Sequence, residues 1–333
     1  MTTRRANMSK PLLTILTDPI PYGRYLPYQA IKRVARRAKY IFQERSYSSH
    51  PRFRGHFAVT RSLVQGLERM DADFNYGPLV LRQLADTVVV LAGVDTLRQA
   101  IQLKRKGHIR RLFAGPNIVI FSSDHSSILA APEIEAVITP SQYVDELYIE
   151  DNPCLRGKVF SWPAGVDTEY WKPEFELERK RILIFEKQNK GPVGPVQPYA
   201  DYLRGIGWEV EVMRYGSFRH HEYRDSLQRS CLMLGFVTDE SQGIAWAEAW
   251  SCDVPTLIWR NTSNVYQGRQ YKCSTAPYLC EDNGLFFDDL EHFKEQFAYW
   301  ETHRDVFQPR EWTLSNMSDE VCARQLYGRV TAC

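Results

Sequence analysis

The 333-residue sequence contains no run of 18 apolar residues, so no segment has the length of a membrane-spanning helix. Its first apolar stretch, LLTIL (12–16) behind a basic lead, is too short for a signal-peptide core and reads as a buried strand. Cysteines number only 7 (Cys154, Cys231, Cys252, Cys273, Cys280, Cys322 and Cys333), an odd count with no Cys-x-x-Cys pair. That spacing argues against a disulfide framework or a zinc site and points to a reducing cytoplasm. No short-period repeat and no nucleic-acid recognition motif is found. No Asp-x-Asp metal motif stands at a strand end. The formal net charge is only +2, but the sum hides a division. Residues 1–111 carry 21 Lys and Arg against 7 Asp and Glu, and the rest carry 21 against 33. Such a split suggests that the first half faces something anionic; solvated Arg-rich helix faces are the plainer alternative.

Hydrophobic residues make up 44% and charged residues 25%, as in a soluble globular chain, and the length favours two domains. The apolar runs LLTIL (12–16), TVVVLAG (87–93), NIVIF (117–121) and AVITP (136–140) are short and β-rich, and read as buried parallel strands. Helical spacing lies between them, in 29–45 (Ile31, Val34, Ala35, Ala38, Ile41, Phe42), 56–70 (Val59, Leu63, Leu67) and 96–107. A connection, WPAGVDTEYWKPEFELERK, leads to a second series. Its strands are RILIF (181–185), WEVEVM (208–213), CLMLGFV (231–237), PTLIW (255–259) and GLFF (284–287). Helices are expected around 199–203, 221–230, 244–250 and 289–303, with a last one over 315–328 that turns Met317, Val321 and Leu326 inward. Strands alternating with helices predict two doubly wound α/β units, which bind ligands at the carboxyl ends of their strands.

The chemistry concentrates in DESQGIAWAEAWSCDVPTLIW (239–259). Gly243 follows a strand and opens a helix, where free backbone N–H groups and the helix dipole favour an anion. Glu248 lies about one and a half turns into that helix, and Glu240 precedes it on the loop. Eight residues of continuous helix would set the two carboxylates about 80° apart and about 12 Å from each other. They can share only a long ligand. A nucleotide-sugar fits, its diphosphate at the helix end and its sugar and ribose hydroxyls donating to the carboxylates. The alternative is a solvated cap and helix face. Trp246 and Trp250, four apart, read as core.

This stretch resembles the retaining GT-B glycosyltransferases, a large family of bacterial nucleotide-sugar transferases. Their signature pairs a glutamate, a glycine three residues on, and a second glutamate followed by Ala, before a turn into Pro. Here these are Glu240, Gly243, Glu248–Ala249 and Val254–Pro255, with Asp253 at the usual glycine and Ser241–Gln242 for Gly-Phe. TPSQYVDEL (139–147), with Ser141, is similar to the last strand and helix of the family's first domain. FSWPAGVDTEYWKP (160–173) is similar to the segment through which the family enters its second domain, and there Asp167 serves the turn.

The resemblance implies a GT-B fold: two Rossmann-like domains facing a central cleft, with a C-terminal helix crossing back to the first. The expected boundaries are 1–162, 163–309 and 310–333. It also implies sugar transfer with retention and without a metal, the nucleotide-sugar being the donor substrate and no further cofactor needed. Glu240, His125 and Lys187 are the implied catalytic residues. Lys190, Ser241, Gln242, Gly243, Ile244 and Glu248 would bind the donor, Lys187 and Lys190 standing in for the family's Arg/Lys pair although its arginine is missing.

On the acceptor side, the loop 46–61 gathers Arg52, Arg54, Gly55, His56 and Arg61, and an anionic acceptor or the donor phosphate is expected there. The basic segments 29–45 and 104–111 suggest a lipid-linked acceptor at the inner face of a membrane, in cell-envelope glycan synthesis. Transfer onto nucleic acid, and a non-catalytic nucleotide-binding α/β protein, are the alternatives.

Overall fold

The computed structural model describes residues 10–27, 31, 57–174, 181–187 and 196–332. Apart from Ile31, the expected helix over 29–45 therefore lies outside the described residues, as does the loop carrying Arg52, Arg54, Gly55 and His56. Two compact units divide the chain: residues 1–139, 148–162 and 323–333 form the first, and residues 140–147 and 163–322 the second.

The first unit is built on six parallel strands: β1 (Leu13–Leu16), β2 (Phe74–Tyr76), β3 (Thr87–Ala92), β4 (Arg111–Asn117), β5 (Ala136–Thr139) and β6 (Val159–Ser161). Their order is β2-β1-β3-β4-β5-β6. Val88, Val89, Val90 and Leu91 of β3 are all fully buried, the continuous apolar run of a strand covered on both faces. Helix α1 (Phe57–Arg69) buries Val59, Leu63 and Leu67, and α2 (Val94–Arg105) buries Leu97, Ala100 and Ile101, the spacing that puts one face of a helix on a sheet. Helix α3 (Gln142–Asp151) crosses the division between the units.

One expected strand is displaced. Asn117–Phe121 is not a strand beyond its first residue; β4 runs through Gly115–Pro116, a pair that reads as a turn in sequence. Gly115 allows this because a Cβ there would lie 1.9 Å from the Ile138 carbonyl of β5. Ile118 and Phe121 are buried all the same, which is why the run looks like a strand.

The second unit carries five parallel strands: β7 (Arg181–Lys187), β8 (Glu209–Arg214), β9 (Ser230–Val237), β10 (Thr256–Trp259) and, later in the chain, β13 (Gly284–Phe287). Their order is β13-β10-β9-β7-β8. Between β10 and β13 lies an antiparallel hairpin absent from the sequence reading, β11 (Ser263–Tyr266) and β12 (Arg269–Lys272). The helices are α4 (Gln197–Gly205), α5 (His220–Gln228), α6 (Ile244–Ser251), α7 (Leu290–Thr302) and α8 (Pro309–Asn316). Alternate residues of β7 serve opposite cores. Leu183 and Phe185 join Tyr223 of α5 and Trp246 and Trp250 of α6, whereas Ile182 and Ile184 join Tyr199 of α4 and Phe293 and Phe297 of α7. Each fully buried side chain of this size contributes roughly 1.5–3 kcal/mol.

The single helix expected over 315–328 is two helices, α8 and α9 (Asp319–Thr331). The break is a β-bridge between Val166 and Ser318: Val166 N donates to Met317 O at 2.8 Å, and Asp319 N to Val166 O at 3.1 Å. Gly165 permits it, since a Cβ there would lie 2.6 Å from Asp319 Cα. Met317 and Leu326 are buried as expected, and Val321 only half-buried. Residues 310–322 belong to the second unit and 323–333 to the first, where Arg111 donates to the carbonyls of Val330 (2.9 Å) and Ala332 (2.6 Å).

Candidate functional site

In the second sheet the chain starts at β7, adds β8 on one side and then places β9 on the other, so the strand order reverses between β7 and β9. The carboxyl ends flanking such a reversal are where open α/β sheets bind ligands. Lys187 is the last residue of β7, and Thr238, Asp239 and Glu240 follow β9. Lys187 Nζ donates to Glu240 Oε2 at 2.6 Å, with side chains only 21% and 16% exposed. The ammonium also sits 5.1 Å from the ring centroid of Tyr215, an exposed residue of the loop after β8. Burial works to lower the Lys187 pKa, but the Glu240 carboxylate outweighs it, and the group is held above the ordinary lysine value. At neutral pH this site is an ion pair.

Asp239 accepts from the Tyr271 hydroxyl, to which Asn264 Nδ2 donates at 3.0 Å, so the hairpin's inner face closes over the neighbour of Glu240. The loop that follows is fastened on both sides. Ser141 Oγ donates to Ser241 O at 2.7 Å, and Gln242 Oε1 accepts from Ala164 N at 3.1 Å. Ser141 and Gln242 thus hold the loop between the two glutamates, and Ser241 is exposed.

Gly243 is the N-cap of α6, with φ +77°, and Ile244 the first helical residue. A Cβ on Gly243 would lie 2.7 Å from Trp246 Cδ1, and one on Gly235 of β9 would lie 2.7 Å from the far edge of the same indole. Two glycines therefore let Trp246 fill the space between α6 and the sheet, which brings the helix start to the end of β9. With no capping side chain and no acid in its first turn, α6 leaves its leading N–H groups without an intrahelical acceptor. The indoles are core, as their spacing suggested: Trp246 Nε1 donates to Thr275 O at 2.8 Å and Trp250 Nε1 to Thr256 Oγ1 at 3.0 Å.

Glu248 is buried inside α6, where Oε1 meets Nε2 of His220 at 3.0 Å. Glu240 is outside the helix and Glu248 within it, so the eight-residue spacing is part loop and part helix rather than continuous helix. Asp253 takes φ +59°, the left-handed region that favours glycine. It ends α6 in a Schellman turn, with Val254 N donating to Ala249 O (3.0 Å) and Asp253 N to Trp250 O (2.9 Å). Arg310 Nη1 donates to Ser251 O at 2.6 Å and to Trp171 O at 3.2 Å, placing a cation at the negative end of the helix. Asp167 Oδ1 accepts from Glu169 N and Tyr170 N, a local turn.

Lys190 lies outside the described residues. His125 belongs to the first unit, exposed in a left-handed turn with Ser126 and Ser127 (φ +52°, +60° and +54°). At the corresponding reversal of the first sheet, between β1 and β3, Thr17 Oγ1 and the Tyr76 hydroxyl bond at 2.8 Å. Thr96 Oγ1 donates to Thr17 O at 3.3 Å, and the Gln99 amide pairs with both backbone groups of Ile20. The basic cluster 104–111 is partly neutralised, Arg105 by Glu133 (2.7 Å) and Arg111 by Glu135 (2.5 Å). His220, Asp239, Tyr215 and Tyr271 had no part in the sequence reading. His220 is 28 residues from Glu248, and no periodicity links the two.

No family model matches the chain, and no curated protein matches it. Solved structures do. A glycosyltransferase from Rickettsia africae is similar at TM-score 0.52 and 9% identity, over 96% of this chain and 98% of the other. Sucrose-phosphate synthase from Thermosynechococcus elongatus is similar at TM-score 0.53 and 12% identity, over 97% and 100%. The lipopolysaccharide outer core galactosyltransferase WaaB is similar at TM-score 0.50 and 10% identity, over 95% and 98%. At such identities the likeness concerns the fold. The chain has two Rossmann-like units, with parallel sheets of six and five strands, and its fold is of the GT-B type.

Proposed function

We propose that the chain is a glycosyltransferase that moves a hexosyl or pentosyl group from a nucleotide-sugar to an anionic or lipid-linked acceptor, with retention and without a metal. The observation that carries this reading is the Lys187–Glu240 pair at the sheet's reversal, beside the open start of α6. Glu240 accepts from sugar hydroxyls. Lys187, kept protonated by its raised pKa, and the first-turn N–H groups after Gly243 stabilise the departing diphosphate. Glu248 accepts from the ribose. The acceptor oxygen bonds to the anomeric carbon on the side the phosphate leaves, and its proton passes to the departing phosphate oxygen. Two solved structures of similar fold are described as a glycosyltransferase and a galactosyltransferase, which supports the reaction class.

A thermal-shift screen against a panel of nucleotide-sugars tests the donor site. A ligand present at a hundred times its Kd stabilises the native state by about 2.7 kcal/mol, and the same donor should be hydrolysed slowly without acceptor. If no nucleotide-sugar raises the melting temperature, the reading fails. The acceptor half is tested by sedimentation with vesicles containing or lacking anionic lipid, where only the anionic vesicles should retain the protein.

A further inference from the structure

The carboxylate of Glu248 is held at one oxygen. The residue is 6% exposed, and among the described residues its hydrogen-bonding partner is Nε2 of His220, 3.0 Å from Oε1. A carboxylate can only accept, so Nε2 carries a proton and donates it to Oε1. His220 is the first residue of α5, whose start is fixed by Arg219 N donating to Glu222 Oε2 at 2.7 Å. Its ring meets the buried Trp171 edge-on, with centroids 4.9 Å apart.

Trp171 is itself gripped by both helices. From α5, Arg224 Nε donates to Tyr170 O at 2.8 Å and Gln228 Nε2 donates to Lys172 O. From the end of α6, Ser251 Oγ donates to Trp171 O. A closed circuit therefore runs from Glu248 through His220 and Trp171 back to the helix that bears Glu248. The His220 side chain is nevertheless 61% exposed, so its burial contributes little to the core. What the circuit fixes is the orientation of one carboxylate.

We propose that His220 is a positioning residue for Glu248: by binding Oε1 it leaves Oε2 to accept from the neighbouring hydroxyls of the donor ribose. This rests on the donor-site reading above. An unheld carboxylate must be ordered on binding, and losing one charge-assisted hydrogen bond of this kind weakens affinity by about tenfold.

Calorimetric titration of the full chain with nucleoside diphosphates and their 2′,3′-dideoxy counterparts tests it. The wild type should prefer the ribose form by about tenfold. His220→Ala should erase that preference and raise the donor KM while kcat and the dideoxy affinity hold, and it should lower the melting temperature modestly because the buried Glu248 loses its partner. His220→Gln, whose amide nitrogen reaches the place of Nε2, should restore the preference; the shorter His220→Asn should not. A His220→Ala protein that keeps the ribose preference overturns the proposal. So does a wild type that binds nucleoside diphosphates without any such preference, although the donor site then stands. A wild type that binds none of them overturns the donor-site reading itself.

Discussion

Both sheets reverse their strand order once, and both reversals sit beside a helix opened by a glycine with positive φ, Gly93 in the first unit and Gly243 in the second. The chemistry laid over the two is different. Around Thr17 the hydroxyls of Thr17, Tyr76 and Thr96 and the Gln99 amide bond to one another or to backbone, beside the half-buried carboxylate of Asp18. Around Lys187 an ion pair stands half out of water beside an uncapped helix start, with a second carboxylate, Glu248, behind it. Neutral groups that satisfy each other stabilise a fold; charges arranged with free backbone donors can exchange their partners for a ligand's. Topology offers two places; the helix at the first carries Asp95 in its opening turn, whereas the helix at the second has no acid there and adjoins the Lys187–Glu240 pair.

The comparison breaks most visibly at Lys187. Lys187→Met should lower kcat/KM by about 100-fold, and by leaving Glu240 unpaired and partly buried it should cost about 1–2 kcal/mol, readable by urea unfolding. Because the folded-state pKa of Lys187 is raised, its contribution is fully present below about pH 10.5 and is lost as pH rises through the folded value. The wild type should therefore lose more stability between neutral and strongly alkaline pH than Lys187→Met does. Next in size is Gly243→Ala. The left-handed backbone and the displaced indole of Trp246 together should cost about 2 kcal/mol, with donor binding lost alongside. At the other reversal, Thr17→Val removes the bond to Tyr76, and should cost about 1 kcal/mol while leaving nucleotide affinity untouched in the same titration. Smallest is Asp253→Gly, where relief of the left-handed backbone and loss of the bond from Arg310 N to Asp253 Oδ1 (3.4 Å) offset each other, for a net change within about 0.5 kcal/mol and activity unchanged.

The alternation of apolar runs with helical spacing made both sheets legible, because parallel strands buried on two faces leave an unbroken hydrophobic signature. The signal misled where a glycine-proline pair lay inside a strand, at Gly115–Pro116, and where a backbone bridge cut a helix whose spacing continues through it, at Ser318. The hairpin β11–β12 escaped because it is polar. Its turn, Gln267–Gly268 with φ +50° and +77°, is a two-residue hairpin signal that periodicity does not register. In the candidate site, Glu240, Gly243 and Glu248 were readable as a local pattern on one strand–loop–helix passage. Their partners were not, since Lys187 lies 53 residues from Glu240 and His220 reaches Glu248 from another helix. Asp253 read as a departure from a glycine pattern. Its backbone lies in the left-handed region that favours glycine.

Arg310 has a consequence for how the second unit can be cut. Its guanidinium joins the carbonyls of Thr168 and Trp171 in one stretch and of Ser251 in another, so a single side chain cross-links both to the start of α8. A fragment ending at residue 309 would lose that link and the Val166–Ser318 bridge together, whereas one ending at 322 would keep both. The longer fragment should resist trypsin as a single body, and the shorter should open first at the end of the helix that bears Glu248.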